Sequence, residues 1–187
     1  MYFPILRGRQ FELLALRECV KENVLSNQII PIVEPVKVSS TYIKTIDSFI
    51  EAEKPIAVIR NPQVGSWSKD LKKESNINIS AQFQKQFKAP CVISSFYVTP
   101  ELEKDIRSAI EKGNSIESML LLCNNPEYVD EYENVIGEKK PLYTLIPDRG
   151  DFRRRIRSNR VMCEDHFPKQ TRNIDYLDTE TEFFSSD

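Results

Sequence analysis

The chain has 187 residues, 40% of them hydrophobic and 29% charged, with a formal net charge of −2 at pH 7. That balance fits one folded domain with a sizeable core and excludes an intrinsically disordered chain. No run approaches the roughly 18 apolar residues that a membrane span needs, and "MYFPILRGRQ" lacks the basic, apolar and cleavage regions of a secretory signal. A cytoplasmic protein with no membrane association is expected.

Seven short apolar runs follow one another: "YFPIL" from Tyr2, "IIPIV" from Ile29, "IAVI" from Ile56, "CVIS" from Cys91, "MLLLC" from Met119, "LYTLI" from Leu142 and "RVMC" from Arg160. Brief apolar runs of this kind suit strands buried on both faces. Pro4 and Pro31 would each remove a ladder hydrogen bond, so pairing should begin just after them. Between the runs lie stripes at helical spacing: Leu13, Leu16, Val20 and Val24; Ile43, Ile46, Phe49 and Ile50; Leu102, Ile106, Ala109 and Ile110; Tyr128, Tyr132, Val135 and Ile136. Thr99-Pro100 and Asn125-Pro126 read as helix starts, and Gly113 and Gly137 as stops. "NPQVGSWSKDLKKESN" is a longer excursion, expected as a surface loop or an extra helix.

Strand and helix in alternation predict right-handed parallel units of the α/β class. Two architectures accommodate them: an incomplete TIM-barrel-like (β/α) fold with about seven parallel strands, and an open doubly wound parallel sheet. The first run is followed by "ILRGRQ", with no G-x-G-x-x-G phosphate loop, which favours the barrel. Residues 1–165 are expected to form this barrel-like domain, and residues 166–187 a polar, acidic C-terminal tail or the start of a missing region.

In such folds ligands bind at the carboxyl ends of the strands. There the sequence places Arg7, Glu34, Arg60, Asn61, Ser94, Ser95, Asn124, Asp148, Arg149, Glu164 and Asp165. Glu34, Asp148, Glu164 and Asp165 form a candidate divalent-metal set, with Glu34, Asp148 and Glu164 as candidate catalytic carboxylates. Arg7 and Arg60 are candidate donors to a phosphate or carboxylate. Glu34 stands out because Val33 and Pro35 flank it, where an unpaired carboxylate is expensive; a structural salt bridge to Arg7 or Arg60 would satisfy it equally.

The chain has one histidine, His166, and four cysteines, Cys19, Cys91, Cys123 and Cys163, far apart with no C-x-x-C pair. Isolated buried thiols are the expectation, and any metal would rest on oxygen ligands, Mg²⁺ or Mn²⁺ rather than zinc. His166 could serve as a general acid or base, with a packing role as its default. "DRGDFRRRIRSNR" concentrates arginines after the sixth run. As a crossover helix it would turn Phe152 and Ile156 inward and Arg153, Arg154 and Arg157 outward, as a solvated face or as weak nucleic-acid or partner contacts.

"MYFPILRGRQFELLALRE", "IIPIVEPV" and "CEDHFPKQTRNIDYLDTETEFFSSD" resemble the beta protein family of bacteria and phages, across most of the chain. Members of that family are longer, so the resemblance implies that this chain corresponds to an N-terminal portion. It also implies a subunit acting with a nuclease-like partner in phage defence or DNA metabolism. The residues by themselves permit an alternative, a divalent-metal-dependent phosphoesterase or phosphodiesterase with its site at the barrel mouth. An unclosed parallel sheet would leave two edges open, through which a homodimer is a possible arrangement.

Overall fold

All seven apolar runs form strands in the computed structural model, which describes residues 1–163. The strands are β1 (Ile5–Arg7), β2 (Ile32–Glu34), β3 (Ile56–Ile59), β4 (Val92–Tyr97), β5 (Leu120–Leu122), β6 (Tyr143–Ile146) and β7 (Arg160–Met162). The principal helices are α1 (Gln10–Lys21), α2 (Ser40–Glu51), α3 (Trp67–Asp70), α4 (Ile77–Gln86), α5 (Leu102–Glu111), α6 (Val129–Ile136) and α7 (Gly150–Arg155). Glu164, Asp165, His166 and the expected acidic tail lie outside the described residues.

The sheet runs in the order β1-β2-β3-β4-β5-β6-β7, and every neighbouring pair is parallel. A doubly wound sheet reverses its strand order at a switch point. This order never reverses, so crossovers of one hand place all helices on one face. The strands' other face must then be covered by the sheet itself, which curls into an open, incomplete barrel.

The apolar packing shows the curl directly. One cluster, with Phe3, Ile32, Ala57, Ile59, Ile93, Leu120, Leu122 and Leu145 at its centre, contains no helical residue and fills the concave interior. Phe3 and Tyr143, five strands apart in the sheet order, meet edge to face with ring centroids 4.9 Å apart. Two further clusters lie between the sheet and its helices: Leu13, Val33, Ile46, Phe49, Val58 and Trp67 on the β1–β3 side, and Phe96, Leu102, Ile106, Leu121, Tyr132 and Phe152 on the other.

Pairing begins after the prolines as their chemistry requires. Ile32 donates its N–H to the Pro4 carbonyl at 2.8 Å, and β1 and β2 start at Ile5 and Ile32. Asn125 caps the turn ahead of α6 by accepting from Glu127 N–H at 3.1 Å, while Gly137 ends that helix at φ 58°. Most members of the helical stripes are buried, with Ile50, Tyr128 and Val135 half-buried. Val24 lies past the end of α1, and Ile110 sits on the rim of α5, both exposed. The long excursion contains α3 and leads directly into α4. It carries Trp67, 2% exposed, into an aromatic cluster with Tyr42 and Phe83, where each ring pair adds about 0.5–1.5 kcal/mol beyond its buried area.

Candidate functional site at the strand carboxyl ends

Side chains alternate across a strand, so the interior cluster fixes which residues at the carboxyl ends face inward. Continuing the register of Ile32, Ala57 and Ile93 by two or four residues reaches Glu34, Asn61 and Tyr97. On β1, Arg7 stands in register opposite Glu34. Cys163 packs against the same interior cluster. The mouth is therefore lined by Arg7, Glu34, Tyr97 and Cys163, with Asn61, past the end of β3, turned to the Tyr97 backbone and to Asp105 of α5; this is a narrower set than the ring of polar residues that follows the strands.

Glu34 is 3% exposed, and both carboxylate oxygens are held. Oε1 accepts from the Gln63 backbone N–H at 2.7 Å, and Oε2 accepts from the Tyr97 hydroxyl at 3.2 Å. The first bond ties the β3–α3 loop down over β2. The same loop is secured by Ser66 N–H donating to the Val36 carbonyl at 2.8 Å, and by Gly65, at φ +78°, lying directly against Val36. Glu34 thus adds a side-chain tie between β2 and the β3–α3 loop.

Asn61 holds Tyr97 from behind. Its side-chain oxygen accepts from Tyr97 N–H at 2.9 Å and its amide donates to the Tyr97 carbonyl at 3.0 Å, extending the β3–β4 ladder beyond the last backbone pair. The same amide reaches Asp105 Oδ2 at 2.9 Å, so α5 is tied into the network. Burial raises the Asp105 pKa, partly offset by the Asn61 bond. Burial is also the largest influence raising the Tyr97 pKa, followed by the negative charge and hydrogen bond of Glu34, while the Arg7 charge pulls it back. The phenol stays protonated and donating, and Arg7 is near enough for its field to reach the hydroxyl. Among the described residues no salt bridge joins Arg7 to a carboxylate, and its side chain is exposed at the open edge of the sheet.

Two of the candidate residues are elsewhere. Arg60 has the opposite parity to Ala57 and Ile59, and its side chain lies on the helix-facing side. There the guanidinium stacks 3.8 Å from the Phe87 ring centroid and donates to Ser94 Oγ at 3.3 Å. Asp148 follows the end of β6 on an exposed turn and pairs with Arg153 at 3.1 Å. Among the described residues no group of three His, Cys, Asp or Glu side chains is placed to hold a metal ion. Glu34 is held by Tyr97 and Gln63 and Asp148 is paired to Arg153; the other two members of the candidate Mg²⁺ or Mn²⁺ set, Glu164 and Asp165, lie outside the described residues.

The arginines of α7 are largely matched by acids. Phe152 and Ile156 are buried as the spacing predicts. Arg149 pairs with Asp151 at 2.7 Å, Arg153 with Asp148, and Arg155 with both Glu133 and Asp130 on α6. The Glu133 hydrogen bond is the largest influence raising the Arg155 pKa. Arg154 and Arg157 are exposed and have no carboxylate partner among the described residues.

Tyr97, Asn61 and Gln63 complete the network around Glu34. Tyr97 carries a readable signal, since Ile93, Ser95 and Tyr97 recur at a spacing of two along a strand longer than "CVIS". Gln63 acts through its backbone and carries none. Comparison with known proteins returns no match: no family model, no curated protein and no solved structure aligns with the chain. No described helix is long and apolar enough to cross a membrane.

Proposed function

We propose that the chain recognises a phosphate-bearing substrate at the mouth of the curled sheet, with Arg7 as the anion-binding side chain and Glu34 as the carboxylate facing it. The observation that carries this reading is the pairing of positions Arg7 and Glu34 across β1 and β2, with Glu34 already satisfied by Tyr97 and Gln63. Arg7 is thereby left able to present two parallel donors to an oxyanion. Cleavage of a phosphate ester or diester by water is the reaction this placement permits, with Glu34 as proton acceptor and Tyr97 fixing its orientation. The alternative involving Mg²⁺ or Mn²⁺ would depend on Glu164 and Asp165. Release of inorganic phosphate from a panel of phosphate mono- and diesters, with and without Mg²⁺ or Mn²⁺, is the test. Turnover should fall at least about tenfold in Arg7→Ala, the loss expected for a charge-assisted contact to the substrate. No turnover, or equal turnover in Arg7→Ala, overturns the reading.

A second reading has its own observation in the exposed Arg154 and Arg157, which have no carboxylate partner among the described residues. They suit contact with nucleic acid or with an acidic face of a nuclease-like partner, in keeping with the beta-family resemblance and a role in phage defence or DNA metabolism. Such binding should weaken steeply with salt and with Arg154→Ala/Arg157→Ala. The β1 and β7 edges, which carry Ile5 and Met162, each 42% exposed, would suit a second copy of the chain; light scattering at micromolar concentration distinguishes monomer from dimer.

A further inference from the structure

The helix-facing side of the sheet carries a second concentration of positive charge, distinct from the mouth. Beyond β3 the Arg60 side chain runs into the groove between α4 and α5. A cavity of about 250 Å³ opens there, lined by Arg60, Gln84, Phe87, Lys88, Lys112 and Asn114. Every charged residue in that lining is basic. Among the described residues Arg60 has no carboxylate within salt-bridge distance. Its partners among the described residues are the Ser94 hydroxyl and the face of Phe87.

Lys88 and Lys112 stand just past the ends of α4 and α5, where cations offset the helix dipoles. Their presence is explained without a ligand. Arg60 has no such explanation, because it follows a strand, is partly buried and has no counter-charge among the described residues. Burying an uncompensated guanidinium is costly, and desolvation holds its pKa down to about 10. Tyr42, whose buried hydroxyl has no hydrogen-bond partner among the described residues, lies close enough for its ionisation and that of Arg60 to influence one another. A neutral phenol cannot balance the arginine.

We propose that this cavity is an anion site for a small phosphate-bearing ligand, anchored by Arg60 with Phe87 holding the guanidinium flat and Lys88 and Lys112 supplying charge at the rim. A guanidinium fixed in plane offers parallel donors matched to phosphate oxygens, and flanking ammonium groups suit a multiply charged anion. The cavity is smaller than a drug-sized ligand requires, so it takes a phosphate or diphosphate group with few atoms attached. Because Arg60 and Arg7 lie on opposite faces of the sheet, this site is independent of the mouth.

Isothermal titration with inorganic pyrophosphate at fixed ionic strength tests the proposal on wild type, Arg60→Gln, Lys112→Gln and Arg7→Ala. Saturable binding at the cavity is expected, weakened at least about tenfold by Arg60→Gln and several-fold by Lys112→Gln, in line with loss of charge-assisted bonds, and it persists in Arg7→Ala, which removes binding at the mouth alone. Lys112 is exposed, so its variant reports even if Arg60→Gln fails to fold. Absence of saturable binding at millimolar pyrophosphate, or undiminished affinity in Lys112→Gln, overturns the proposal. So does loss of all binding in Arg7→Ala. Binding of a short single-stranded DNA but not of pyrophosphate likewise overturns it, and assigns the basic rim to a nucleic-acid surface.

Discussion

The Tyr97 hydroxyl donates to Glu34 Oε2 at 3.2 Å, spanning β3 to join β4 to β2, while Asn61 of the intervening segment grips the Tyr97 backbone on both sides. Three adjacent strands are thereby locked where their ladder hydrogen bonds end. Glu34→Ala removes the acceptor for both the hydroxyl and the Gln63 N–H, each costing about 1–3 kcal/mol if left unpaired. Tyr97→Phe removes one bond, at about 1 kcal/mol. Denaturant titration of the two single variants and the double variant should show a coupling of at least about 0.5 kcal/mol. Strict additivity would mean that the bond does not form.

The raised Tyr97 pKa has a pH consequence of definite sign. In the unfolded chain the phenol ionises near its usual pKa of about 10, whereas in the folded chain burial and the Glu34 charge keep it protonated to higher pH. The folded state then binds more protons, so stability is full below about pH 10 and declines above it. The decline should be steeper in wild type than in Tyr97→Phe when unfolding free energy is followed from pH 8 to 11. Parallel curves would contradict the burial of that hydroxyl beside a carboxylate.

Gly65 tests how the loop over Glu34 is held. A Cβ there would stand 2.1 Å from the Val36 carbonyl oxygen, at φ +78°, whereas at Gly113, φ +92°, it would meet nothing within 4 Å. Gly113→Ala should cost about 1 kcal/mol, the conformational penalty alone. Gly65→Ala must also displace the loop, so its melting temperature should fall well below that of Gly113→Ala. Equal losses would show that the loop does not lie on Val36.

The strands and their parallel course were legible because each is a brief apolar run separated by amphipathic segments and because Pro4 and Pro31 mark where pairing starts. The mouth was legible only in part. Glu34 was conspicuous as a carboxylate between Val33 and Pro35, and Arg7 follows from the register of β1. Arg60 was placed with them because it follows a strand, but one residue of parity turns a side chain to the opposite face of a sheet. "CVIS" stops short of Tyr97, which concealed the inward repeat, and Asp148 is claimed by Arg153, a local pairing that the arginine-rich segment hides among several acids.

Arg60 itself supplies a stability prediction. With its pKa depressed by burial and no anion bound, its positive charge is a cost to the folded state at neutral pH. Arg60→Met keeps an apolar stem against Phe87 and removes the charge, so in phosphate-free buffer it should be at least as stable as wild type. A loss of more than about 2 kcal/mol, the scale on which a broken buried ion pair registers, would mean that Arg60 has a counter-charge.

The curl of the sheet underlies both the mouth and the division of Arg7 from Arg60. Five strand intervals of about 4.8 Å would separate β1 from β6 by roughly 24 Å in a flat sheet, yet the Phe3 and Tyr143 rings touch, 4.9 Å between centroids. Nuclear Overhauser spectroscopy on selectively Phe- and Tyr-labelled protein reads this contact without perturbing it. The account predicts a direct cross-peak between the Phe3 and Tyr143 ring protons; assigned resonances with no such cross-peak would contradict it.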